Sequence, residues 1–215
     1  MLEDSDYKVR REVAKSVANL SDDKLLDKLT EMFGSEDGYS LRANLLMSAQ
    51  KIGKDKSKDL LLKGLETESY DSIIRVASIN ALGDLADITT IGTVKKYLGK
   101  DFDWQTRSAA ISAISKFYWK DRAVAEILLK GLEDEFFIVR QSAASGIRDT
   151  GDLQLITRIL PYLEKEHEGF VKRIMREALE LKGAPIPQDF KEMKEQLYKL
   201  KERVTNLEAS KNSKK

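Results

Sequence analysis

The chain has 215 residues, of which 41% are hydrophobic and 34% charged, a composition typical of a folded protein with one core of ordinary size or two smaller ones. Lys and Arg number 37 and Asp and Glu 36, so no overall charge directs the chain to nucleic acid or to an anionic membrane. The absence of Cys excludes disulfides and Cys nucleophiles and fits a reducing compartment. No apolar run approaches the length of a membrane span, and the charged start of the chain is not a secretory signal. We therefore expect a cytoplasmic protein without membrane contact.

Six segments along the chain share one cationic anchor residue, which recurs every 32 or 33 positions. The anchors are Arg10, Arg42, Arg75, Arg107, Arg140 and Lys172. Small residues stand six positions after each anchor: Ser16, Ser48, Ala81, Ala113, Gly146 and Ala178. Apolar residues stand seven positions after it: Val17, Ala49, Leu82, Ile114, Ile147 and Leu179. With the position three after the anchor, these residues define one helical face, and the small ones allow a neighbouring helix to approach closely.

A second amphipathic stretch precedes each anchor except the first, as in DDKLLDKLTEMF and AVAEILLKGLE. Acids recur four positions before the anchor, at Asp6, Asp71, Asp103 and Glu168. Such an acid suits the first turn of a helix, where free N–H groups attract negative charge. Each unit is therefore expected to be a helix, a short acidic turn and a second helix. Since one unit cannot bury its own apolar face, we predict an all-α solenoid of about five to six units over residues 1–183.

This pattern resembles the HEAT repeat family, including its short, lyase-like bacterial and archaeal form. The resemblance rests on the turn acid, the small residues and the pair at the start of the second helix, as in Val9-Arg10, Ile74-Arg75 and Val139-Arg140. The last unit departs from the pattern, with Lys172 as its anchor. The resemblance implies a structural ladder in which the anchor guanidinium groups pair with turn acids and carbonyls of adjacent repeats. Its members would be Arg10, Arg42, Arg75, Arg107 and Arg140.

The two ends of the chain differ from the repeats. No helix precedes Arg10, so the first repeat is incomplete, and we expect a fragment of a larger protein. At the other end, a Pro-containing link over 184–188 leads to an amphipathic heptad helix over 189–208 and a disordered tail over 209–215. That helix can fold back on the last repeat or pair with a second chain. We predict a monomer, with a coiled-coil dimer as the alternative.

The segment KFYWKD, residues 116–121, places aromatic residues where other units are polar. Exposed aromatics flanked by Lys often anchor a partner, which makes Tyr118, Trp119, Lys116 and Lys120 candidate partner-binding residues. Alternatively, the two aromatic side chains fill an irregular gap between units.

Motifs for catalysis or cofactor binding are not found in the sequence. The single His, His167, lies in KEHEG, outside any zinc motif or nucleophile elbow, and no phosphate-binding loop is present. We therefore expect no catalytic, cofactor-binding or metal-binding residues, no cofactor, and a chain that is not itself an enzyme.

Three functions fit such a solenoid. The first is a non-catalytic scaffold that binds a protein or peptide. The second is the C-terminal HEAT-like domain of a zinc aminopeptidase of the aminopeptidase N type, which residues 134–140 and the terminal heptads resemble. The third is nucleic-acid binding, as in HEAT-like alkylpurine DNA glycosylases. The third is disfavoured, because neither the position five after the anchor nor the position nine after it is basic in most units. We expect a protein or peptide partner and no nucleic acid.

Overall fold

The computed structural model describes residues 4–180, apart from residues 19 and 21–23, together with residue 203. Over this part of the chain the structure is helical, and the described residues contain no strand. The α-helices in chain order are α1 (Tyr7–Val17), α2 (Leu25–Ser35), α3 (Tyr39–Gly53), α4 (Lys58–Leu65), α5 (Ile73–Leu85), α6 (Ile91–Lys95), α7 (Trp104–Ser115), α8 (Val124–Gly131), α9 (Phe137–Thr150), α10 (Leu153–Thr157), α11 (Leu160–Lys165) and α12 (Gly169–Glu180).

The helices form six units, of which the first is represented by α1 alone. Units 2 to 5 pair α2 with α3, α4 with α5, α6 with α7 and α8 with α9, and unit 6 pairs the short helices α10 and α11 with α12. The second helices α1, α3, α5, α7, α9 and α12 pack side by side in that order. This arrangement is an all-α solenoid, as the repeat predicted.

The predicted columns of the repeat form the core. Leu45, Ala110 and Met175, three positions after their anchors, are fully buried, as are the apolar residues seven positions after the anchors in units 2 to 5. The small residues allow close contact between second helices: a Cβ added to Gly146 would lie 2.7 Å from Cβ of Ser115 on α7. Ser16 is the exception, since it is exposed on α1.

The turn acids cap some of the second helices. The Asp6 carboxylate accepts a hydrogen bond from the Lys8 N–H at 2.8 Å, and Asp103 accepts one from the Thr106 N–H at 2.7 Å. Asp71 does not follow this pattern, because it lies in the left-handed region at φ 48°, next to Ser72 at φ 54°. The turn before α5 therefore differs in conformation from its equivalents.

The first helices are less regular than the second. Helix α6 ends in a 3-10 turn over Lys96–Leu98, and in unit 6 the first helix is interrupted between α10 and α11. Pro161 stands at the start of α11, where its missing N–H requires no intrahelical acceptor. The predicted link at 184–188 and tail at 209–215 lie outside the described residues, as does the predicted helix at 189–208 apart from residue 203.

Candidate functional site

Three of the anchor guanidinium groups form ion pairs between neighbouring units. Arg107 is 3% exposed and binds Asp134 in a bidentate manner, with Nε and Nη2 each 2.9 Å from a carboxylate oxygen. Arg140 binds Glu166 in the same way, at 2.7 and 2.8 Å. Arg10 pairs with Glu36 at 3.1 Å through Nε. Each pair joins a second helix to the turn of the following unit.

Main-chain carbonyls complete the binding of these three cations. Nη1 of Arg107 donates to the Phe102 carbonyl at 2.6 Å, and Nη1 of Arg140 donates to the Asp134 carbonyl at 2.8 Å. Arg10 donates likewise to the Asp4 carbonyl at 2.8 Å. Each guanidinium thus holds the turn of its own unit and that of the next.

Two of these ion pairs lower the pKa of their turn carboxylate. Hydrogen bonds from Arg140 and from the main-chain N–H groups of His167 and Glu168 lower the pKa of Glu166 to about 2, against a partial opposing effect of burial. For Asp134, burial acts to raise the pKa, but the hydrogen bonds from Arg107 and the Phe136 N–H outweigh it, so the pKa is lowered. Both carboxylates are therefore charged at neutral pH.

The acids of these pairs stand six positions before the next anchor, and not at the position four before it that recurs in the sequence. Glu36, Asp134 and Glu166 occupy this position, and Asp101 occupies it in unit 4. The signal is present in the sequence, but it becomes apparent only when each Arg is compared with the following unit. In unit 3 the equivalent residue is Ser69.

Two anchors bind differently. Arg75 donates to the Leu65 carbonyl at 3.1 Å and to the Ser72 hydroxyl at 3.2 Å. Arg42 lies over the Phe33 ring, 4.4 Å from its centroid, and its buried Nε has no hydrogen-bond acceptor among the described residues.

Residues 116–122 connect three successive turns on the opposite edge of the solenoid. Lys116 pairs with Asp84, and Lys120 donates to the Ala86 carbonyl at 2.7 Å. Tyr118 is only 4% exposed and donates to the Asp152 carboxylate at 2.6 Å, so the expectation that it is available to a partner is wrong. Its hydroxyl has a partner 34 residues later in the chain, which the local sequence did not reveal.

Trp119 remains 63% exposed, although it is held within the chain. Its indole N–H donates to the Thr150 carbonyl at 3.1 Å, and the Arg122 guanidinium lies 3.9 Å from its ring centroid. Of the four candidate partner-binding residues, Trp119 presents the largest exposed apolar surface.

A shallow cleft of about 510 Å³ crosses the exposed face of the second helices in units 2 to 4. Three half-buried carboxamides line it, Asn44 on α3, Asn80 on α5 and Gln105 on α7. Their side chains make no hydrogen bond to another described residue. The apolar part of the lining includes Met47, Ile73 and Val76, and Asp71 is its one ionisable residue.

Metal sites and membrane spans are not found in the described part of the chain. No group of three or more His, Asp or Glu residues is placed to hold a metal ion among the described residues. None of the described helices is long and apolar enough to cross a membrane. His167 contributes its main-chain N–H to Glu166 at 2.9 Å, within the turn before α12.

Comparison with solved structures gives a similar fold in an enzyme. The complex of CpcE and CpcF of phycocyanin lyase from Nostoc sp. PCC7120 matches over 83% of this chain and 84% of the other, with a TM-score of 0.49 and 18% identity. The prediction that this chain is not an enzyme therefore requires correction.

Comparison of sequences gives the family. No curated protein matches the chain. A family model described as HEAT repeats matches it in four overlapping segments, at residues 1–83, 35–115, 68–148 and 93–180. These segments span the six units and contain all of the anchors from Arg10 to Lys172, so the chain belongs to the HEAT repeat family.

Proposed function

We propose that the chain is a protein-binding scaffold that holds a peptide segment of its partner in the cleft across α3, α5 and α7. The observation that carries this proposal is the convergence of Asn44, Asn80 and Gln105, whose amides have no partner among the described residues, on a half-apolar cleft. A carboxamide offers both donors and an acceptor, as the main chain of a peptide does. A site with apolar lining and a few convergent polar groups is the usual form of a binding site.

The chemistry of the cleft favours an uncharged segment of the partner. Met47, Ile73 and Val76 supply apolar contacts, while Asp71 alone carries charge and lies at the edge of the second helix. Nucleic acid requires a cationic surface for its phosphates, and this lining contains no Lys or Arg. A peptide main chain flanked by small apolar side chains satisfies both parts of the lining.

The aminopeptidase alternative has less support. Within residues 134–140, Asp134 and Glu135 pair with Arg107, and Arg140 binds Glu166, so all three charged residues have partners within the solenoid. This stretch therefore requires no metallopeptidase to explain it.

A peptide display selection tests the proposal. Peptides selected from a random library on the native chain should bind the Asn44→Ala/Asn80→Ala double variant about 5- to 150-fold more weakly, because each of the two lost hydrogen bonds contributes about 0.5–1.5 kcal/mol. Gln154→Ala, which removes an exposed carboxamide on α10, is the matched control and should leave binding unchanged. Equal affinity for the native chain and the double variant, measured by fluorescence anisotropy, would place the binding site elsewhere.

A further inference from the structure

The ion pairs between an anchor Arg and the turn acid of the next unit are absent at two junctions. Arg75 of unit 3 binds the Leu65 carbonyl and the Ser72 hydroxyl of its own unit, and Arg42 of unit 2 has no acid at the equivalent position of unit 3. Arg10, Arg107 and Arg140 each bind a carboxylate that stands six positions before the next anchor. The equivalent residue for Arg42 is Ser69, whose hydroxyl instead accepts a hydrogen bond from the Ile74 N–H at 3.0 Å. Because residue 69 carries no carboxylate, the buried Nε of Arg42 has no acceptor in the described part of the chain.

The turn that carries Ser69 differs from the others in conformation and exposure. Asp71 and Ser72 both lie in the left-handed region, which costs energy for residues other than Gly and recurs at binding sites. The neighbouring Tyr70 is 71% exposed, so the surface of this turn is open to solvent.

We propose that Arg42 is a binding site for an oxyanion, either a carboxylate or a phosphate group, which occupies the place held by Glu36, Asp134 and Glu166 at three of the other junctions. The planar guanidinium binds two oxygens of such a group side by side, as Arg107 and Arg140 do here. A buried N–H without an acceptor is unfavourable, and an oxyanion supplies the acceptor. This inference does not depend on the proposed peptide cleft.

The charges of the turn set the affinity. Glu66 and Glu68 are exposed on the same turn as Ser69, and Asp71 follows them, so they oppose a free anion through Coulomb repulsion. We expect inorganic phosphate to bind with a Kd roughly in the millimolar range, and more weakly as salt rises. An oxyanion carried by the side chain of residue 69 does not have to bind from solution. It should therefore stabilise the folded chain more than free phosphate does.

Thermal denaturation tests the attached group. Ser69→Glu places a carboxylate in the turn, and Ser69→Gln is its neutral control, since both variants lose the hydroxyl that accepts from Ile74. With Arg42 present, the Glu variant should melt about 2–4 °C above the Gln variant. In an Arg42→Gln background the two should melt together. Equal melting of the Glu and Gln variants with Arg42 in place would overturn the attached form of the site.

Titration with inorganic phosphate, followed by the Nε–H signals of the Arg side chains in NMR, tests the free group. Phosphate should shift the signal of Arg42 and leave those of Arg107 and Arg140 unchanged, because their carboxylates already fill the position. In Ser69→Glu the Arg42 signal should no longer respond. If phosphate shifts the Arg42 signal but the Glu and Gln variants melt together, the site binds a separate anion. If the two variants differ in melting temperature but phosphate leaves the Arg42 signal unchanged, the site binds a group carried by residue 69. Failure of both measurements would refute the proposal.

Discussion

Replacement of Arg107 with Ala is the most direct test of the arginine ladder. The guanidinium is 3% exposed, makes two hydrogen bonds to Asp134 at 2.9 Å and a third to the Phe102 carbonyl at 2.6 Å. The substitution leaves the Asp134 carboxylate, whose side chain is 13% exposed, without its cation. Removal of one partner from a buried ion pair typically costs about 3–5 kcal/mol. For a chain of this size we therefore expect the melting temperature to fall by about 6–20 °C.

The assay is thermal and urea denaturation of the native chain, Arg107→Ala and a matched control. The control is Arg158→Ala, which removes an equally bidentate pair with Glu126 in which the two side chains are 48% and 69% exposed. An exposed pair contributes about 0–1 kcal/mol, so the control should melt within a few degrees of the native chain. If Arg107→Ala melts no lower than Arg158→Ala, the buried pair does not stabilise the junction of units 4 and 5, and the ladder has no structural role there.

Three further predictions concern packing, the C-terminal segment and Trp119. Gly83→Ala should lower the free energy of unfolding by about 1–2 kcal/mol, because the new Cβ would lie 2.6 Å from Cα of Ala113. Gly92→Ala should raise it by about 0.5–1 kcal/mol, because no atom lies within 4 Å of the new Cβ. Urea denaturation measures both changes. A chain that stops at Gln188 should remain monomeric by light scattering and melt earlier than the whole chain, and a dimer that becomes a monomer on truncation would contradict the predicted cap. Trp119→Ala should melt a few degrees earlier, since the bond to the Thr150 carbonyl is lost, and selected peptides should bind it unchanged; weaker peptide binding would make Trp119 a partner contact.

The repeat made the fold predictable because its period is imposed by packing. A residue three or seven positions after an anchor faces the neighbouring unit, so its side chain is apolar in the stacked units, with buried Ser78 of unit 3 as the exception. The small residue six positions after the anchor follows from the same contact, as Gly146 and Ser115 show. These constraints recur at a fixed interval and can therefore be recognised in one sequence without a structure.

The side-chain partners were less predictable, because they depend on contacts between units. The acid of the ladder lies 26 or 27 residues after its Arg, beyond a first helix of variable form. The acids that stand four positions before four of the anchors are nearer in sequence and drew the prediction to the wrong position. The hydroxyl of Tyr118 binds Asp152, which caps α10 in a different unit. In both cases the sequence reveals the residue type, but the partner is determined by how successive units stack.

The acid sensitivity of the ladder follows from Glu166. Its pKa is lowered from 4.5 to about 2 in the folded chain, chiefly by Arg140, and its side chain is only 2% exposed. Since the folded pKa lies below the unfolded one, the unfolded chain binds more protons between these values, and stability falls as pH falls through that range. The shift corresponds to about 3 kcal/mol, fully present above pH 4.5 and lost near pH 2. Urea denaturation of the native chain and of Glu166→Gln should therefore give free energies of unfolding that differ by about 3 kcal/mol at pH 6 and converge toward pH 2, since Gln cannot titrate. A difference that stays constant over this range would show that the Glu166 carboxylate is not stabilised by Arg140 in the folded chain.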